Sequence, residues 1–132
     1  MFSIDDNQER FVPPSPFIQS AHGSIASQIA IQTGCKNYNM TYSHRTFSFE
    51  DALLDAMMLL EEKKYAHILL GGVDEIEEIQ FNTIDRIGYY KNPGVNNLEL
   101  LADQTKGTIA GEGSAFFLLE SHQTVNTYAK IN

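Results

Sequence analysis

The sequence predicts an α/β domain in which a mixed sheet packs around a buried central helix and closes with a C-terminal β-hairpin. Three observations carry that expectation. Residues 48–64 contain Ala52, Leu53, Leu54, Ala56, Met57, Met58, Leu59 and Leu60, an apolar set with almost no polar side to turn to water. Ala66 to Leu70 follows as a run suited to a central strand covered on both faces. Near the end, SAFFLLES and VNTYAKIN flank the short link 122–124, the spacing of two antiparallel strands and a tight turn.

At 132 residues, the chain has the length of one domain with a real core. A hydrophobic fraction of 42% with 20% charged residues fits a globular protein, and no run approaches the roughly 20 apolar residues of a membrane span. The start, MFSIDDNQERFVPPSP, has neither the basic opening nor the apolar segment of a secretory signal, so a cytoplasmic location is expected. Cys35 is alone, which excludes a disulfide framework and leaves a small apolar packing residue as its simplest role. The net charge of -8, from 17 acids against 9 bases, repels nucleic acid and anionic membranes, and no basic patch offsets it. The pair Lys63-Lys64 reads as a complement to a helix C-terminus.

Taken in order, residues 1–10 form a polar lead-in and 11–132 the domain, with Phe11, Val12, Phe17 and Ile18 anchoring its first part. SIASQIAIQT at 24–33 predicts a short amphipathic helix capped by Ser24 and stopped by Gly34. Residues 37–43 alternate, with Tyr38, Met40 and Tyr42 on one face, and predict a strand. Ser48 then caps the amide of Asp51, Phe47 packs beside Ala52, and the buried helix runs to about Lys64. Gly71-Gly72 turns the chain after the next strand. Ile76, Ile79, Phe81, Ile84 and Ile87 predict one helix or two short ones ended by Gly88. KNPGVNN is a loop, and a helical turn is expected over 98–102.

Few residues here carry chemistry. His22, His44, His67 and His122 have no metal-ligand spacing, so no metal and no cofactor is expected. GTIAGEG lacks the order of a dinucleotide fingerprint and has no helix after it. Asp74, Glu75, Glu77 and Glu78 read as solvated acids at the positive end of a helix. His44-Arg45-Thr46 is the exception. It lies between a strand end and a helix start, where free amides and the helix dipole favour an anion or a nucleophile. The plainer alternative is that Arg45 caps carbonyls or pairs with an acid while His44 stays solvated.

The order TYSHRTFSFEDALLDAMMLLEEKKYAHILLGGVDE, followed by GTIAGEGSAFFLLES, resembles the N-terminal half of β-ketoacyl synthases in the thiolase-like superfamily. Synthases have a strand ending in Thr-Val-Ser, a turn with the catalytic cysteine, a buried helix, and a strand ending in Gly-Gly-Val-Asp. A Gly-Glu-Gly then leads into an apolar strand ending in Leu-Glu. Those places hold Thr41-Tyr42-Ser43, Ala52-Leu53 with Ala56, Gly71-Gly72-Val73-Asp74, and Gly111-Glu112-Gly113 with Leu119-Glu120. The chain looks closest to the short ketosynthase-like proteins of aryl-polyene and flexirubin-type pigment pathways.

The resemblance implies a thiolase-like layered half-domain whose dimer edge is the strand bearing Tyr38, Met40 and Tyr42. It places the family's opening strands before Phe11, where only a polar lead is present, so they are expected from upstream sequence or another chain. The position of the nucleophile falls on Thr46, which has no accessible thiolate form and needs an adjacent base, His44 or His22, to attack a thioester. The two histidines that drive decarboxylation belong to the second half of a synthase. The expected role is therefore a non-catalytic subunit of a fatty-acid or polyketide pathway, a homodimer or a heterodimer with an active ketosynthase. The alternatives are a 3-oxoacyl synthase acting through Thr46, and a docking module for acyl carrier protein using His44-Arg45 or Lys63-Lys64.

Overall fold

The computed structural model describes residue 18 and residues 21–44, 46–91 and 95–131. Helix α1 spans Ser24–Thr33, helix α2 Ser48–Glu61, strand β1 His67–Asp74, helix α3 Glu78–Arg86, a 3-10 turn Asn97–Glu99, and strand β2 Gly113–Glu120. The chain divides into two compact units, Met1–Met58 and Leu59–Asn132.

In the first unit, α1 stops where Gly34 adopts φ 69°, from which its amide reaches back to Ala30 and Ile31. Ser24 is the first helical residue instead of the cap: that place belongs to Gly23, without a side-chain capping hydrogen bond. The strand expected over 37–43 is absent. Alternation supplies two faces but no ladder, and no described residue pairs with this segment. Side chains tether it instead: the Tyr38 hydroxyl donates to Asp55 Oδ2 at 2.9 Å, and Asn39 Nδ2 donates to the Ala26 carbonyl at 3.1 Å. Ile18, expected as an anchor, is exposed, and Phe11, Val12, Phe17 and the lead-in 1–10 lie outside the described residues.

Helix α2 begins at Ser48 as expected and carries Glu50 and Asp51 in its first turn, where the positive end of the helix favours acids. It ends at Glu61, short of Lys64, because the chain turns at Lys63 into a left-handed conformation with φ 54°. The expectation of burial on almost every side is corrected. Ala56 and Leu60 are buried, whereas Asp51, Leu54, Met58 and Glu61 form an exposed stripe one helical turn apart. Phe47 is exposed as well.

The second unit is organised by one antiparallel ladder. Strand β1 pairs with β2 over all eight residues, from His67 opposite Glu120 to Asp74 opposite Gly113. This corrects the hairpin: SAFFLLES is a strand, but its partner lies far upstream, and 125–131 pairs with nothing among the described residues. Val125 and Tyr128 are fully exposed, and Thr127 turns back to Thr124. Among the described residues the sheet is two-stranded and antiparallel, not mixed, and parallel geometry is confined to an isolated bridge between Tyr90 and Thr108.

Because successive side chains of a strand point to opposite faces, the register sorts the sheet. Leu70, only 6% exposed, shares its face with half-buried Ile68 and Leu119. Phe117, opposite Leu70, is half exposed at 50%, and on the other face Leu69, Val73, Phe116 and Leu118 are exposed, so β1 is not covered on both faces. On that open face Phe116 lies over Gly71. A Cβ added at Gly71 would stand 2.1 Å from the ring carbon Cδ1. A strand glycine leaves a gap in the pleated surface, and a facing aromatic ring fills it.

Gly71→Ala is therefore expected to push the Phe116 ring aside and to destabilise the chain by about 1–2 kcal/mol. In the Phe116→Leu background the same substitution should cost less than half as much. Denaturant unfolding of the four proteins of this cycle measures both, and additive effects would contradict the contact.

Candidate functional site

The turn into α2 is built around His44. The Ser48 hydroxyl donates to the His44 carbonyl at 2.6 Å and accepts from the His44 amide at 2.7 Å. Ser48 thus looks backwards and does not cap Asp51, whose amide bonds to the Phe47 carbonyl at 2.9 Å. The ring of His44 folds onto the backbone just ahead of the helix. Its Nδ1 accepts long hydrogen bonds from the amides of Thr46 and Phe47, each at 3.4 Å, the two residues before Ser48. The Phe47 ring lies 6.3 Å from it, tilted by 35°.

This geometry bears on the chemistry expected of the turn. An Nδ1 that accepts from the backbone leaves the proton of neutral imidazole on Nε2, so the ring presents a donor to its surroundings. Thr46 is exposed, and among the described residues no hydrogen bond joins its hydroxyl to the ring of His44 or of His22. A threonine without a base in hydrogen-bond reach remains a weak nucleophile. Arg45 lies outside the described residues. Among those described, no group of three His, Cys, Asp or Glu side chains is placed to hold a metal ion.

On the segment expected to form a dimer edge, Tyr38 and Met40 are exposed and Tyr42 is half-buried. The Tyr38 phenol is held above its ordinary range, first by its hydrogen bond with Tyr42 and then by that with Asp55. Both partners favour the phenol that keeps its proton. Cys35, expected to pack as a small apolar residue, is exposed just past Gly34, with its amide on the Ala30 carbonyl at 2.9 Å.

The second unit holds two polar clusters, and the first, around Lys91, has no counterpart among the residues singled out from the sequence. The Lys91 side chain is only 4% exposed; its Nζ donates to the Thr105 carbonyl and to Thr105 Oγ1 at 2.9 Å, and stands 3.8 Å from Asp103 Oδ1. Asp103 Oδ1 also accepts from the Thr105 amide at 2.7 Å. That bond and Lys91 hold the Asp103 carboxyl below its usual range, the contacts with Thr105 weighing more than the charge of Lys91. The backbones match: Lys91 donates to Thr108 at 2.9 Å and Thr108 to Tyr89 at 3.1 Å. Gly107 fits between them at φ 99°, where a Cβ would meet three backbone atoms at 3.0 Å. The only trace of this cluster in the sequence is Asp103-Gln-Thr105, the spacing of an Asx turn.

The second cluster explains the glutamate of Gly111-Glu112-Gly113. Glu112 Oε1 accepts from the amide of Ile76 at 2.8 Å and so joins the segment leaving β1 to the segment entering β2. Beside it, Glu77 occupies the N-cap position of α3 without a side-chain capping hydrogen bond and Glu78 lies in the first turn, both exposed, as acids at a positive helix end. Lys63 and Lys64 are exposed, with Lys64 Nζ 2.6 Å from Glu62. No helix among the described residues is long and apolar enough to cross a membrane.

Residues 3–124 match the family model described as Beta-ketoacyl synthase, N-terminal domain. The chain belongs to that family. The match takes in the His44–Ser48 turn, α2, both strands and Glu112 of this synthase-family chain. It supports a relation to fatty-acid and polyketide synthases. No curated protein and no solved structure matches the chain.

Two pH responses follow from the shifted groups. The raised phenol of Tyr38 contributes stability that is complete below pH 10, the ordinary phenol value, and is lost as the pH rises above it. Tyr38→Phe should flatten the alkaline fall in stability and remove the last-titrating tyrosinate from the absorbance titration at high pH. The lowered carboxyl of Asp103 acts in the opposite direction: its contribution is complete above 3.8 and is lost as the pH falls through the folded value. Asp103→Asn should lower stability at neutral pH and weaken its acid dependence, with unfolding midpoints measured between pH 2 and 7 as the readout.

Proposed function

We propose that this synthase-family chain is a non-catalytic ketosynthase-like subunit of a fatty-acid or polyketide pathway, of the aryl-polyene or flexirubin type. It pairs with itself or with an active synthase and helps to shape an acyl site. The reading rests on one observation: Thr46 stands where the resemblance puts the nucleophile, and the nearest imidazole spends its acceptor nitrogen on the amides of Thr46 and Phe47. A cysteine at this address would ionise with help from the helix start; a threonine hydroxyl would not. Pairing would use the segment of Tyr38, Met40 and Tyr42, which has exposed side chains and no ladder partner among the described residues.

Incubation with an acyl thioester of N-acetylcysteamine, followed by intact-protein mass spectrometry, tests the chemistry. No acyl adduct is expected on the wild-type chain, and an adduct that Thr46→Ala abolishes would establish the acyltransferase alternative instead. Sedimentation at micromolar concentration tests the pairing: a dimer, or a complex with an active synthase, should dissociate in Tyr42→Asp. A monomer that binds no synthase would overturn it.

A further inference from the structure

Segment 37–43 is fastened from two sides within the first unit. Consecutive side chains of an extended stretch point to opposite faces. Tyr38 accordingly reaches Asp55 of α2 at 2.9 Å, while its neighbour Asn39 reaches the Ala26 carbonyl of α1 at 3.1 Å. All four residues belong to the first unit. Asp55 is half-buried beside buried Ala56, and a carboxylate partly removed from water needs a donor, which the Tyr38 hydroxyl supplies. Tyr42 adds a second hydrogen bond to the same phenol.

We infer that Asp55 is the positioning residue of the pairing edge: through Tyr38 it holds 37–43 against α2, so that the segment meets a second copy of this chain already ordered. The inference rests on the reading above, in which Tyr38, Met40 and Tyr42 form that edge. Helix α2 is the fixed side of the contact, because its 14 residues carry their own hydrogen bonds, whereas 37–43 has no ladder among the described residues. A stretch without a ladder loses conformational freedom when it enters one, and each contact that orders it beforehand removes part of that cost from association.

Charge separates this role from a general effect of an acid. Each copy carries a net charge of -8, so removing an exposed carboxylate lessens the repulsion between two copies and favours their association. Loss of a carboxylate that positions the edge acts in the opposite direction. Glu61, the exposed last residue of α2, supplies the comparison within one helix.

Sedimentation equilibrium of the full chain measures the association. Asp55→Ala and Tyr38→Phe should each weaken the dimer about fivefold or more, the worth of one net hydrogen bond, and the double variant should lose no more than either alone. Glu61→Ala should pair as tightly as the wild type or more tightly. Hydrogen exchange of the monomers, read by mass spectrometry, should quicken over 37–43 in Asp55→Ala and stay unchanged over the β1 amides 67–74. A wild-type dimer that Asp55→Ala leaves equally tight overturns this inference and keeps the pairing reading. Additive losses, or exchange that quickens over 67–74 as much as over 37–43, also overturn it, since Asp55 would then serve general stability. A chain that stays monomeric overturns self-pairing and this inference together.

Discussion

The antiparallel ladder between β1 and β2 is the constraint on which the second unit depends. It brings residues 67–74 against 113–120 and so obliges everything between them to leave the sheet at Asp74 and return at Gly113. The fasteners of that excursion lie along its path. Glu112 ties the two ends together through the Ile76 amide, and Lys91 ties the middle to Asp103 and Thr105. Phe81 stacks on Tyr90 at 5.0 Å, so α3 is fastened to the strand-like stretch that Thr108 bridges. A buried ammonium is costly unless it is paired, and Lys91 donates to both Thr105 oxygens with the Asp103 carboxylate 3.8 Å away.

The first unit holds its site by other means. Its extended segment has no ladder, and the polar atoms that fix it come from side chains: Tyr38 on Asp55, Asn39 on Ala26, Ser48 and the His44 ring on the α2 start. Such contacts are exposed and individually worth little. They fix a turn closely enough to orient it, while Tyr38, Met40, Leu54 and Met58 are exposed.

Legibility differed between helices and strands. Helix α1 ran from Ser24 to Thr33 as expected, and α2 and α3 began where acids and apolar spacing put them. Helical hydrogen bonds are local, so residues within four positions decide them. The strands 37–43 and 125–132 failed for the complementary reason: alternation is a property of one segment, but a strand exists only when another segment supplies its bonds. His44 as an acceptor for the turn's amides and Lys91 as a fastener were equally hidden, since each acts on a residue whose position depends on how the turn or excursion folds.

By itself, then, the sequence determined the family, the helices and the apolar character of β1 and β2, all of which rest on residue identity and local spacing. The tertiary structure alone decided that SAFFLLES pairs with HILLGGVD rather than with the tail, that Glu112 is a tie, and that one sheet face and one stripe of α2 remain open. Those outcomes depend on contacts between residues distant in the chain, where many pairings satisfy the same pattern and packing selects one. The space over Gly71, which only a facing ring such as Phe116 fills, is the smallest instance of that selection.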